Sequence, residues 1–198
     1  MKRPDFSKLR SRKRTQEEIE SEAVKNRQET YDWIQSLAVA LIVFVVVFVF
    51  FIRIIDVNGN SMYPTLYNED KMIVSGLFYT PRQGDIVVFK TDSYDANKAL
   101  VKRVIAVGGQ VVNIDFENGI VYVDGEPLEE NYTNELTYNK LDFIGPQTVP
   151  DGCVFLLGDN RNASTDSRDE RIGMVDARLI IGRVYAVIYP ISRLQTIG

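Results

Sequence analysis

A mostly β, antiparallel domain behind a single membrane-spanning helix is the fold that the sequence predicts. Three observations carry the prediction. Residues 37–52 are sixteen uninterrupted apolar residues near the start of a 198-residue chain. After residue 56 the apolar residues come instead in short runs rich in Val and Ile, bounded by Gly, Pro or Asp. Beyond that point no long stretch repeats its apolar residues at helical spacing.

Residues 1–33 hold nine Lys or Arg and seven Asp or Glu, and seven of the first fourteen are basic against one acid, Asp5. This is a solvated polar tail, with a helix-favouring, Glu-rich composition over 15–28. From Ile34 to Ile55 there are twenty-two positions, enough to cross a hydrocarbon layer of about 30 Å at about 1.5 Å per residue, with Arg53 snorkelling to the interface. A cleaved secretory signal also has an apolar run. Here, however, some thirty polar residues precede it and no small-x-small site follows, so residues 34–55 read as a retained anchor. The upstream basic cluster places residues 1–33 in the cytoplasm and residues 56–198 outside the membrane.

Strands are expected at 71–75, 85–90 and 99–107. A hairpin pairs 111–116 with 120–124 through Glu117-Asn118-Gly119, because Asn-Gly suits the primed turns that match strand twist. Residues 126–148 are polar and mixed, an irregular excursion, and the strand texture returns at 153–157 and 179–188.

Composition removes several kinds of chemistry. Residues 56–198 carry thirteen Lys or Arg against twenty Asp or Glu, a net charge of −7, which argues against a nucleic-acid partner. The chain has no histidine, so a Ser-His-Asp triad, a Cys-His dyad and a His-based zinc site are all excluded. No metal or other cofactor is expected. The one cysteine, Cys153, lies in an apolar run and reads as a small buried residue.

Three stretches carry candidate chemistry. Gly59-Asn60-Ser61-Met62-Tyr63-Pro64-Thr65-Leu66 presents a serine in a turn-forming context just past the anchor. On a strand over 99–107, Lys102 shares a face with Leu100 and Val104 while Arg103 faces the other way with Val101 and Ile105. An ammonium among apolar neighbours is disfavoured, which makes a neutral amine available as a base. An edge-strand lysine that blunts aggregation would look the same in sequence. Gly158-Asp159-Asn160-Arg161-Asn162-Ala163-Ser164-Thr165-Asp166-Ser167-Arg168 follows an apolar strand, dense in groups that hydrogen-bond their own backbone. It suits a solvated turn, and equally a loop supporting a reacting centre.

Taken in order, Ser61 to Leu66, Gly84-Asp85-Ile86-Val87-Val88, Lys102-Arg103 with Gly108-Gly109, and Gly158 to Arg168 resemble the successive motif boxes of type I signal peptidases in their compact bacterial form. The resemblance covers about residues 57–187. It implies a two-sheet, β-rich catalytic domain, and a membrane-anchored serine endopeptidase that removes signal peptides from exported preproteins at the plasma membrane. Its implied partners are those signal peptides and the lipid bilayer. Ser61 is then similar to the family's nucleophile and Lys102 to its general base. Ser164 corresponds to a hydroxyl that orients the lysine. Asp166, Arg168 and Arg103 correspond to ion-pair support, with Asp159 and Asn160 shaping the loop. The Ser61 N–H is one implied oxyanion donor. Some relatives add a hydroxyl two residues before the nucleophile, where this chain has Gly59, leaving the Gly59 backbone as a candidate for the second donor. Val57, Met62, Leu66 and Val101 resemble the lining of shallow apolar pockets that admit small residues before the cleaved bond. With no histidine present, a desolvated lysine is the remaining common way to activate a serine. Two competing readings are a self-cleaving Ser/Lys protease of the SOS-repressor kind and a catalytically silent membrane-tethered adaptor.

Overall fold

The computed structural model describes residues 16–91 and 98–197. The chain forms two compact units that divide between Phe48 and Val49. Among its described residues the first is helical throughout, as part of α1 (Gln16–Phe51), whose last three residues fall in the second unit and in which the Glu-rich segment and the apolar segment run on as a single element. It holds a stretch, Glu18–Val47, long and apolar enough to cross a membrane. The basic cluster of the first fourteen residues lies outside the described residues.

The anchor expected over 34–55 is corrected at its outer end. The helix stops at Phe51, and β1 (Arg53–Asp56) pairs antiparallel with β2 (Lys71–Ser75), setting Ile54 opposite Ile73 and Ile55 opposite Met72. Apolarity alone does not separate the last turn of a span from an edge strand. Two β-branched residues between Arg53 and Asp56 suit the strand.

The β unit continues through β3 (Ile86–Lys90), β4 (Ala99–Val107), β5 (Val111–Asp115), β6 (Ile120–Val123), β7 (Glu126–Pro127), β8 (Gln147–Thr148), β9 (Cys153–Leu157), β10 (Val175–Asp176), β11 (Ile180–Tyr189) and β12 (Gln195–Thr196). Among the described residues these form two sheets. The larger has the order β1-β2-β11-β3-β4-β9-β10, with β12 added on β11, and the smaller has the order β7-β6-β5-β8. The strand pairs are antiparallel. The β5–β6 hairpin closes through a four-residue loop rather than a tight primed turn. Asp115 Oδ1 accepts the N–H groups of Glu117 and Asn118, and Gly119 takes a φ of +73° that a side chain rarely tolerates.

Period-2 alternation sends the strand residues into separate cores. Ile86 and Val88 pack with Val57, Met62, Leu66 and Met72, whereas Val87 and Phe89 pack with Val104, Val154 and Leu156. Ile105, Phe155 and Leu157 of the large sheet meet Val112, Ile114 and Val121 of the small one, filling the space between the two. β3 and β9 are thereby buried on both faces, and β4 lies between them, buried from Lys102 to Ala106.

Candidate active site

β4 carries the centre of the site. The alternation expected for it holds: Leu100 and Val104 join the cluster of Val87 and Phe89, and Val101 joins that of Val57 and Met62. Lys102, only 3% exposed, sits opposite Val87, and its Nζ lies 2.6 Å from Ser61 Oγ. Burial lowers the Lys102 pKa from 10.5 to about 8. The carboxylates of Asp166 and Asp159 pull it back up, and Arg168 pushes it further down. A fraction of the lysine is therefore neutral near physiological pH, in contact with a hydroxyl it can deprotonate. Ser61, Lys102, Leu100, Asn58, Asn60 and Thr165 border an open groove of about 390 Å³.

Ser61 is held by the loop that follows β9. The Asn160 N–H donates to Ser61 O at 3.0 Å, and Asn160 Nδ2 donates to Asn60 O at 3.0 Å. Gly158 makes this approach feasible, because a Cβ there would stand 2.5 Å from Ser61 O and 2.2 Å from Ser164 Oγ. The Ser61 N–H makes no hydrogen bond among the described residues. Gly59 differs from expectation. Its φ of +93° suits the turn, but its N–H donates to Asn68 Oδ1 at 2.8 Å and is not free to meet a ligand.

The ion-pair support resolves into two separate pairs where one grouping was expected. Arg103 binds Asp159 in a two-pronged contact, Nε to Oδ1 at 2.8 Å and Nη2 to Oδ2 at 2.6 Å, and also donates to Gly84 O. Thr65 Oγ1 donates to Asp159 Oδ2 at 2.5 Å, so one carboxylate ties the serine turn, β4 and the later loop together. Asp166 instead pairs with Arg168 inside the loop, accepts the Gly158 N–H at 3.0 Å, and is fully buried. Ser164 is also placed differently. Its Oγ is buried without a hydrogen-bond partner among the described residues, and the lysine's hydrogen bond goes to Ser61.

Val57, Met62, Leu66 and Val101 do come together, but as core: the first three are buried, and only Val101 is partly open. None of the four borders the groove beside Ser61.

Sequence reasoning missed a third support. Arg161, wholly buried, donates to Gly158 O, to Thr137 Oγ1 and to both oxygens of Glu130 at 2.5 and 2.6 Å. The Tyr132 ring lies 3.8 Å beneath the Arg103 guanidinium, and Asn162 Oδ1 accepts the N–H groups of Tyr138 and Asn139. The excursion over 126–148 is thus bound to the site loop along its length. The only sequence signal was the Glu129-Glu130 pair and Tyr132 in a polar stretch, with nothing to connect them to Arg161.

A family model described as signal peptidase, peptidase S26, matches residues 30–189. The chain is 40% identical over 151 residues to the probable signal peptidase I-1 of Synechocystis sp., covering 72% of this chain and 74% of that one. It is 30% identical over 194 residues to signal peptidase I S of Bacillus subtilis, covering 89% and 98% respectively. A crystal structure of a signal peptidase I from Enterococcus faecalis matches 53% of this chain and 97% of that one at 29% identity, with a TM-score of 0.44.

Proposed function

The chain belongs to the signal peptidase family, peptidase S26, and from that premise we propose that it is a membrane-anchored serine endopeptidase that removes signal peptides with a Ser61/Lys102 dyad. One observation carries the reading: a buried lysine of lowered pKa within 2.6 Å of a groove-lining serine, in a chain without histidine. Neutral Lys102 takes the Ser61 proton as Oγ attacks the scissile carbonyl, and the Ser61 N–H faces the charge that develops on oxygen. The lysine then protonates the departing amine, and a water attacks the acyl-enzyme in the same manner.

The helix Gln16–Phe51 is the anchor, with the N-terminus in the cytoplasm and the β unit on the far side of the plasma membrane. Val57, Met62 and Leu66 are closed against one another beneath the serine turn, so a pocket for substrate side chains beside Ser61 gains no depth from them and is shallow. Shallow pockets refuse bulk by overlap, which supports cleavage after a small-x-small sequence.

The test is cleavage of one labelled preprotein. Ser61→Ala and Lys102→Met should each abolish it while leaving the β unit folded. In the wild-type protein, Ala→Phe at the first or third residue before the bond should block cleavage, and at the second should not. A Lys102→Met protein that cleaves near the wild-type rate would remove the dyad, and equal cleavage of the three substrates would remove the pockets.

A further inference from the structure

We propose that Asn160 builds the oxyanion site, by fixing the plane of the Asn60–Ser61 peptide so that the Ser61 N–H faces the groove. The proposal rests on the dyad reading and adds a positioning residue to it. The Asn60–Ser61 bond is not among the cis peptides, so its C=O and N–H lie in one plane and point in opposite directions. Whatever holds the Asn60 carbonyl therefore aims the Ser61 N–H. Asn160 Nδ2 donates to that carbonyl at 3.0 Å from a hundred residues away, and the Tyr63 N–H donates to it at 3.1 Å from within the turn. On the other side of the serine, the Asn160 main-chain N–H holds the Ser61 carbonyl at 3.0 Å. One residue thus pins both peptides that flank the nucleophile.

The requirement is sharper here because the neighbouring donor is absent. Gly59 has no side chain, and its N–H is taken by Asn68. More of the charge on a tetrahedral intermediate then falls to the Ser61 N–H, whose value depends on its aim at the oxygen. The Asn160 side chain makes no capping bond to the short turn Arg161–Ala163, and its φ of −84° is open to any residue, so its amide can be removed without undoing the loop.

The test uses the full chain in detergent with Asn160→Ala and Asn160→Asp, the second keeping size while replacing the donor with an acceptor. Each should lower kcat about tenfold with KM unchanged, less than the ~10²–10³ lost when a whole oxyanion donor is removed, because the Tyr63 bond survives. The acid limb of the kcat/KM profile should stay in place in Asn160→Ala, which adds no charge near Lys102, whereas the new carboxylate of Asn160→Asp should move it to higher pH. A peptide aldehyde, whose carbonyl carbon takes the Ser61 Oγ while the proton passes to Lys102, leaves its oxygen in the same position and should bind weaker by the same factor. Retention of kcat within about twofold in either variant, or a fall in kcat with no change in aldehyde affinity, overturns the proposal. If Asn160→Ala does not fold, Asn160→Asp carries the test. Ser61→Ala is run alongside: cleavage surviving there removes the dyad itself, whereas full activity in the Asn160 variants beside an inert Ser61→Ala overturns only the role of Asn160.

Discussion

At the residue scale, the cost of the site is concentrated in Lys102. Its pKa is about 8 in the folded protein and 10.5 when free, so below pH 8 both states are protonated and the folded one bears the full penalty of a buried ammonium. Between pH 8 and 10.5 the folded state has shed its proton and the unfolded state has not, so the penalty fades as pH rises. Lys102→Met should accordingly be more stable than wild type at pH 7, by on the order of 2–3 kcal/mol, with the gap closing across that window. Denaturant midpoints at pH 7 and pH 10 would show this, and an unchanged or widening gap would mean that the lysine is not desolvated as the geometry implies. Under the proposed dyad the same group sets the rate. Below about pH 8, kcat/KM should fall roughly tenfold per pH unit as the base becomes protonated, and a profile level from pH 5 to 9 would require a different base. Lys102 was legible in sequence as a charge facing apolar neighbours on a strand; its distance to Ser61 was not, since the two lie forty-one positions apart.

At the scale of elements, the strands were legible and the supports between them were not. Residues 71–75, 99–107 and 153–157 coincide with β2, β4 and β9, because β-branched runs closed by Gly or Asp leave little choice. The excursion over 126–148 was unreadable for the opposite reason. It forms only the short strands β7 and β8, and its order comes from contacts with distant residues: Glu130 and Thr137 on Arg161, the Asn139 carbonyl on Arg168, and Tyr132 on Arg103 of β4. Such contacts have no periodicity in sequence. They carry a stability prediction nonetheless. Glu130→Ala strands the fully buried Arg161 guanidinium and should cost about 3–5 kcal/mol, the usual result of removing one partner from a buried pair. Removing Arg178 from its pair with Asp176, where the arginine is 89% exposed, should leave the melting midpoint unchanged. Equal effects from the two changes would mean that Arg161 finds water or another acceptor once Glu130 is gone. Activity should fall with Glu130→Ala as well, because Arg161 also holds Gly158 O at the base of the loop that reaches Ser61.

For the molecule as a whole, one boundary drawn in the sequence is displaced, because the helix ends at Phe51 and residues 53–56 form β1, and the displacement has a consequence. Residues 34–55 read as a continuous span because hydrophobicity reports burial without saying in what. Ile54 and Ile55 are apolar for a sheet, and β1 is the outer strand of the unit that holds the site. The β unit should therefore fold without the helix only if it keeps β1. A chain beginning at Ile52 should melt in one transition and cleave a soluble peptide spanning a signal-peptide junction, since every residue that bonds Ser61, Lys102, Asp159 or Asp166 lies beyond that point. A chain beginning at Val57 loses the four-residue pairing Arg53 to Val74 through Asp56 to Lys71, together with the Asp56–Lys71 ion pair. Its β2 becomes a bare edge, with unpaired N–H and C=O groups that invite association with other chains. Because β2 is one of the two long neighbours that pair with β11, the loss is not confined to the margin. The Val57 chain should show a melting midpoint several degrees lower and concentration-dependent association by light scattering. If the two truncated chains melt together and both stay monomeric, β1 contributes no pairing energy and the domain begins where the sequence alone placed it, at residue 56.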